Sequence, residues 1–204
     1  MTQSHIPSGR TLRKQQKGFS LTTVIILLVI VTIMGIAASQ MVLLSERSTR
    51  FGRDQQIAFQ AAEAALLDAE FDIRGPNTSS KSRVATFSPS SLLGFIAGCG
   101  TGTQLGLCMP ANPGEKPIWY TVDFTDRSAN ARTVEFGAFT GRTLSTGNVG
   151  IRPEFPPRYI IEVLPDPMAG HDLAAPKAIY RVTAMGFGPR QETQAVLQMI
   201  LRKE

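Results

Sequence analysis

An uncharged and mostly apolar run extends from Phe19 to Leu44, near the start of the chain. As a helix it would rise about 39 Å, more than the roughly 30 Å of the hydrocarbon core of a bilayer. Four basic residues and no acidic residue precede the run, and positively charged flanks stay in the cytoplasm. The pattern predicts a membrane-spanning helix with an extracytoplasmic domain behind it.

The helical pattern continues beyond the apolar run as a second, amphipathic half. No proline lies between Ser45 and Ile73, and small or apolar residues such as Ile57, Ala61 and Ala65 recur at helical spacing. An alanine-rich face allows a helix to approach a sheet closely. Gly75-Pro76-Asn77 is a stop signal, so we expect the helix to end there.

Alternating apolar and polar positions in the last third of the chain are typical of half-buried strands. A short connection, residues 186–191, predicts that the last two strands form an antiparallel hairpin. We therefore expect an α+β fold, in which the long N-terminal helix packs on a C-terminal antiparallel sheet. The predicted strands are Ile118–Phe124, Thr133–Phe139, Tyr159–Leu164, Ile179–Met185 and Thr193–Arg202; residues 153–158 and 165–176 are predicted loops.

The charge of the chain lies largely in the segment before Phe19. That segment holds four of the 21 basic residues and none of the 16 acidic ones, so the rest is close to neutral. Without it, no basic stripe with interleaved aromatic residues remains, and nucleic-acid binding has no support. The roughly 130 residues after the helix are enough for one small core.

Two cysteines, Cys99 and Cys108, lie in a Gly-rich segment that we expect to be mainly loop. In an oxidising compartment such a pair favours one intrachain disulfide. Two cysteines with no nearby histidine make a metal site improbable.

We find no catalytic constellation in the sequence. His5 lies before the apolar run, and His171 lies in a Gly- and Pro-rich segment without a nucleophile elbow. Asp123, Asp126 and Asn130 loosely resemble a calcium loop, but their spacing is wrong for an EF-hand. We therefore expect no enzyme activity, no cofactor and no bound metal.

The junction Lys17-Gly18-Phe19-Ser20-Leu21 resembles the leader-peptidase site of type IV prepilins, in which a basic leader ends in Gly and the apolar helix begins at once. The resemblance implies that the prepilin peptidase cuts after Gly18 and that Phe19 becomes the N-methylated first residue. Because the cut precedes the apolar run, that run stays in the mature protein.

Two further segments resemble PilX-type minor pilins in particular. One is the alanine-rich run from Asp54 to Glu70; the other is Tyr180–Gly188 followed by Thr193–Gln198. The resemblance implies a cleaved cytoplasmic leader (1–18), a transmembrane and filament-core half-helix (19–44), an extracytoplasmic half-helix (45–74) and a periplasmic globular domain (75–204).

Thr23 departs from the type IV pilin pattern, which usually has Glu as the fifth mature residue. In the family that Glu is thought to attract the N-terminal amine of a neighbouring subunit, where an unpaired charge would be costly. Its absence fits a place at the filament tip, where one neighbour is missing. Equally, Thr23 is acceptable as a tolerated helix residue.

The resemblance implies a non-enzymatic minor pilin that primes type IV pilus assembly and lies at the tip, with roles in adhesion and twitching motility. Its partners would be the prepilin peptidase, other minor pilins, the major pilin, a tip adhesin and, before assembly, the inner membrane. Two alternatives remain open at this point. One is a minor pseudopilin of a type II secretion system, and the other is a bitopic membrane protein with a periplasmic binding or sensing domain.

Overall fold

A computed structural model describes residues 19–88, 92–144, 150–166 and 178–203 of the chain. The predicted leader, including His5 and Gly18, and the predicted loop residue His171 lie outside them. The chain divides into two compact units, Met1–Ser48 and Thr49–Glu204. Helix α1, Phe19–Arg74, supplies the described part of the first unit and the opening element of the second.

The described part of the first unit is helix throughout, and its described side chains are exposed. The most apolar 18-residue window of α1 has a mean hydropathy of 2.8. Among the described residues, α1 is the helix that is long and apolar enough to cross a membrane.

The predicted end of α1 is confirmed. Gly75 adopts a positive φ of 70° and its backbone N–H donates to the carbonyl of Phe71, at 2.8 Å. This left-handed conformation is the usual way to satisfy the last carbonyls of a helix, and glycine adopts it without steric cost.

After α1, the described part of the second unit contains a five-stranded sheet, a short α-helix and two single-turn 3-10 helices. Strands β3, β4 and β5 are antiparallel neighbours, so the predicted final hairpin is confirmed. β2 is antiparallel to β3, whereas β1 pairs with β3 in parallel, so the sheet is mixed at that edge. The elements are β1 Leu107–Cys108, α2 Ile118–Thr121, β2 Val134–Glu135, β3 Arg158–Pro165, β4 Ala178–Phe187 and β5 Gln194–Leu201.

Two predicted strands are wrong or too long. Ile118–Phe124 instead begins with helix α2, and Ile118 and Val122, the residue after the helix, lie one turn apart. Both pack against the buried cluster of Cys99, Cys108, Phe124 and Ile160. Thr133–Phe139 keeps only Val134–Glu135 as a strand, because the chain turns at Gly137 with a φ of 81°. Apolar runs this short do not distinguish a strand from a helical turn.

The alanine face of α1 packs on the sheet, as predicted. Ala65, Ala69 and Ile73 are fully buried in one core with Tyr159 and Val182. Further along β4, a Cβ atom added at Gly186 would overlap the backbone of Ala58 and Ala62. Helix and strand therefore meet backbone to backbone at this point, and the small residues on both elements make that approach possible.

We predict that Gly186→Ala destabilises the second unit. Because the new methyl group meets backbone atoms, the helix or strand must shift, and such overpacking costs about 1–3 kcal/mol. Unfolding of the detergent-solubilised full chain in urea, followed by the fluorescence of Trp119, measures the change.

Gly52→Ala is the matched control, because no atom lies within 4 Å of the Cβ position at Gly52 in the same helix. An exposed helical Gly→Ala exchange stabilises by about 0.5–1 kcal/mol. Equal unfolding midpoints for the two variants would contradict the close contact.

Candidate assembly interface

Two residues predicted from the prepilin resemblance, Phe19 and Thr23, lie in the first turns of α1, whereas Gly18 lies outside the described residues. Phe19 is its first residue, and Thr23 lies about one turn further along, with an exposed side chain. Other hydroxyl residues in this half bond to their own helix: Thr32 donates to the carbonyl of Val29 at 2.8 Å, and Ser39 to that of Gly35 at 2.9 Å. Such back-bonding satisfies a hydroxyl group in an apolar surrounding.

The first half of α1 exposes its apolar side chains on every side. Leu28, Val31 and Met34 are all more than 60% exposed. A helix that is apolar all round needs lipid or other apolar helices around it. Its backbone is already satisfied by its own hydrogen bonds, so both surroundings suit it.

A buried ion pair joins the second half of α1 to the chain that follows. Two of the three guanidinium nitrogens of Arg83 donate to the Asp72 carboxylate, Nη2 at 2.6 Å and Nε at 3.0 Å. The Tyr159 hydroxyl donates to the same carboxylate at 2.9 Å. Both partners are almost completely buried, so removing one would leave an uncompensated charge, which typically costs about 3–5 kcal/mol.

The remaining contacts of Arg83 hold the loop that leads into β1. Its Nη1 donates to the carbonyls of Leu105, at 2.6 Å, and Thr103, at 3.1 Å. The guanidinium also lies 3.6 Å from the centre of the Phe139 ring. Arg83 therefore fixes three separate segments on one face of α1.

Asp68, one turn before Asp72, is a second buried carboxylate on this face. It accepts hydrogen bonds from the backbone N–H of Gly137, at 2.8 Å, and from the hydroxyl of Thr140. Burial raises the pKa of Asp68, and the two hydrogen bonds oppose that shift. Burial likewise raises the pKa of Tyr159 well above its usual value, with the neighbouring Asp72 adding to the effect.

Part of the opposite face of the sheet, around Ile160 of β3, is covered by the cysteine loop. Cys99 and Cys108 form a disulfide, as predicted. It packs with Phe124 and Ile160 in a separate buried cluster. The bond therefore ties the loop to β1 on the side of the sheet that points away from α1.

The residues with calcium-loop character form local turns. The Asp123 carboxylate accepts bonds from the N–H and hydroxyl of Thr125, and Asp126 accepts one from the N–H of Ser128. These hydrogen bonds lower the pKa of both carboxyl groups. Across the described ranges, no group of three or more His, Cys, Asp or Glu residues is placed to hold a metal ion.

Comparison with protein families decides the identity of the chain. Residues 17–67 match the model described as PilX N-terminal, and residues 104–203 match the model described as type IV pilus assembly protein PilX C-term. The chain belongs to the PilX family of type IV pilus assembly proteins. Searches of curated proteins and of solved structures gave no match.

The two matches cover the two ends of this PilX-type protein and leave a segment between them unmatched. The N-terminal match contains the predicted leader junction and the alanine face as far as Ala65, and the C-terminal match contains all five described strands. Residues 68–103 lie in neither, although they hold Asp68, Asp72, Arg83 and Cys99. Membership supports a minor pilin role in pilus assembly, which is a structural and not an enzymatic role for the family, and its apolar helix fits a membrane anchor.

The buried carboxylates were missed by the sequence interpretation, although a signal for them exists. Asp68 and Asp72 continue the stripe of Ala61 and Ala65 at spacings of three and four residues. A carboxylate on the buried stripe of a helix requires a partner, since burying an unpaired charge is costly. The identity of that partner, Arg83 beyond the helix end, is not visible in the spacing.

We predict that Asp68→Asn changes the pH dependence of unfolding in a definite direction. With its pKa raised in the folded state, Asp68 favours folding below the usual value of 3.8, and this contribution is lost as the pH rises through the raised pKa. Relative to the parent chain, Asp68→Asn should therefore gain stability as the pH rises through this range. Urea midpoints at a series of pH values measure the difference.

Asp126→Asn provides a control of opposite sign. Because the folded-state pKa of Asp126 is lowered, its contribution is present above the usual value and is lost as the pH falls. Relative to the parent, this variant should lose stability as the pH rises. Identical pH profiles for the two variants would show that burial of Asp68 is not what shifts its titration.

Proposed function

We propose that this PilX family protein primes the assembly of type IV pili and lies at the pilus tip. The observation that carries the proposal is Thr23, in the first turns of an apolar helix that otherwise has the form of a pilin helix. A threonine hydroxyl carries no charge, so it cannot form the ion pair that the usual pilin glutamate would offer to a neighbouring N-terminal amine.

A difference between end and internal positions links Thr23 to the tip. An internal subunit has neighbours on both sides along the filament, whereas an end subunit lacks one of them. In an apolar filament core an amine without a counter-charge is costly, so a subunit without the carboxylate is penalised inside the shaft. At the filament end, the neighbouring subunit whose N-terminal amine would need this carboxylate is absent.

The proposed location follows from the same features. Before assembly, the apolar half of α1 lies in the inner membrane and the second unit lies in the periplasm. The Cys99–Cys108 disulfide supports an oxidising compartment for that unit. The proposed partners are the prepilin peptidase, which would cut between Gly18 and Phe19, other minor pilins, the major pilin and a tip adhesin; adhesion and twitching motility would depend on the resulting pili.

The secretion alternative uses the same leader and helix, so only the globular part distinguishes it. The C-terminal match, which covers the whole sheet, is to a pilus assembly family. That match favours a pilus over a type II secretion pseudopilus.

Immunogold labelling of sheared pili tests the tip location. We expect label at one end of each pilus, and we expect deletion of the gene to abolish or strongly reduce piliation. Thr23→Ala should assemble normally, because no ion pair is removed. Label spread evenly along the shaft would refute the end location, and full piliation of the deletion strain would refute the priming role.

A charge-restoring variant sharpens this test. Thr23→Glu supplies the carboxylate at the fifth mature position, and we expect it to increase the label along the shaft. Thr22→Glu, one residue earlier, introduces the same charge at a position that the amine does not require. Equal distributions for the two variants would show that position 23 does not control where the subunit is placed.

A further inference from the structure

Strand β5 is an edge strand whose own sequence lacks the usual protective residues. In the sheet order β1-β3-β4-β5 it is terminal, and among the described residues no strand pairs with its other side. Its eight residues pair with β4 without a break, and they include no charged residue, proline or glycine. Natural edge strands usually carry charges, prolines or bulges that prevent pairing with another chain.

The side chains of β5 that face away from α1 add to this exposure. Val196 is 44% and Ile200 is 67% exposed, and Gln198 lies between them on the same face. Gln198 donates from Nε2 to the hydroxyl of Thr183 on β4, at 2.9 Å. The outward row of β5, Val196, Gln198 and Ile200, therefore has an amide between two apolar side chains. The amide of Gln198 is already oriented by its bond to β4.

Two charged side chains that the structure describes beside this row are already paired. Arg181 on β4 is the cross-strand neighbour of Ile200, and it is held by the buried carboxylate of Glu162 through bonds of 2.8 and 3.0 Å. At the end of β5, Arg202 pairs with Asp166 at 2.8 Å. A charged side chain brought against this row would lose its hydration without gaining an ion pair.

The direction of α1 argues against a second copy as the occupant. Gln55 bonds to the carbonyl of Gln194, and Arg74 bonds to the carbonyl of Arg202. Nineteen residues of helix rise about 28 Å and eight residues of strand about 27 Å, so in this unit α1 runs parallel to β5 along its full length. Two-fold pairing of β5 with itself would place the two chain entries, at Thr49, at opposite ends of the joint sheet, so both could not approach from one membrane.

We propose that β5 receives an extended, uncharged segment of another pilus protein, which adds a strand to this sheet. Main-chain hydrogen bonds supply the pairing, and apolar side chains at alternate positions of the added strand lie beside Val196 and Ile200. The inference rests on the proposed role in pilus assembly, because it requires a partner from the same assembly.

Site-specific photo-cross-linking in the native cells tests this proposal. A photoreactive residue is placed singly at Val196, Gln198 or Ile200, and at Tyr120 as a control that is 65% exposed on α2. We expect the three β5 positions to cross-link to alternate residues of one uncharged segment in another pilus protein, and Tyr120 not to reach that segment. Cross-links only to a second copy, to residues spaced three or four apart, or to no pilus protein would overturn the proposal.

A charge variant separates this proposal from the priming role. We expect Ile200→Lys to reduce the cross-link from Gln198 at least about tenfold, which corresponds to about 1.4 kcal/mol of lost pairing. Tyr120→Lys should leave that cross-link unchanged, and Trp119 fluorescence verifies that both variants fold. An unchanged cross-link in Ile200→Lys refutes the strand addition even where the deletion strain lacks pili, whereas a fully piliated deletion strain refutes the priming role itself.

Discussion

The contact between α1 and β4 at Gly186 sets the distance on which the rest of the second unit depends. With Ala58 and Ala62 on the helix and no side chain on the strand, the two backbones touch. Larger buried residues, Ile73, Tyr159 and Tyr180, belong to the core between helix and sheet. A larger residue at Gly186 would force the helix or the strand to shift.

The C-terminal end of α1 is held by charge and hydrogen bonds as well as by apolar packing. Asp72 and Arg83 link the helix to the segment after it, and Arg83 in turn fixes the entry to β1. Asp68 holds the turn at Gly137. The loops that the sequence suggests are irregular are thus attached to one face of the helix at defined points. Part of the opposite face of the sheet receives its cover from the disulfide loop, which leaves the outward row of β5 exposed.

Sequence patterns predicted the elements that form between residues close in the chain. They failed where residues far apart in the chain decide the structure. The long helix, its stop at Gly75 and the β4–β5 hairpin follow from periodicity and from a short connection. The pairing of β1 with β3 joins residues about fifty positions apart, and two residues carry no detectable period. Similarly, the spacing of Asp68 and Asp72 marks buried carboxylates, but Arg83 and Thr140 become their partners only in the folded chain.

The N-terminus of the mature protein tests the central claim most directly, since the account requires the apolar half of α1 to be a permanent part of a processed pilin. Mass spectrometry of the protein extracted from membranes should find a chain that begins at Phe19 with a methylated amine. A chain that begins at Met1, or one cut after the apolar run near Ser39, would contradict the account.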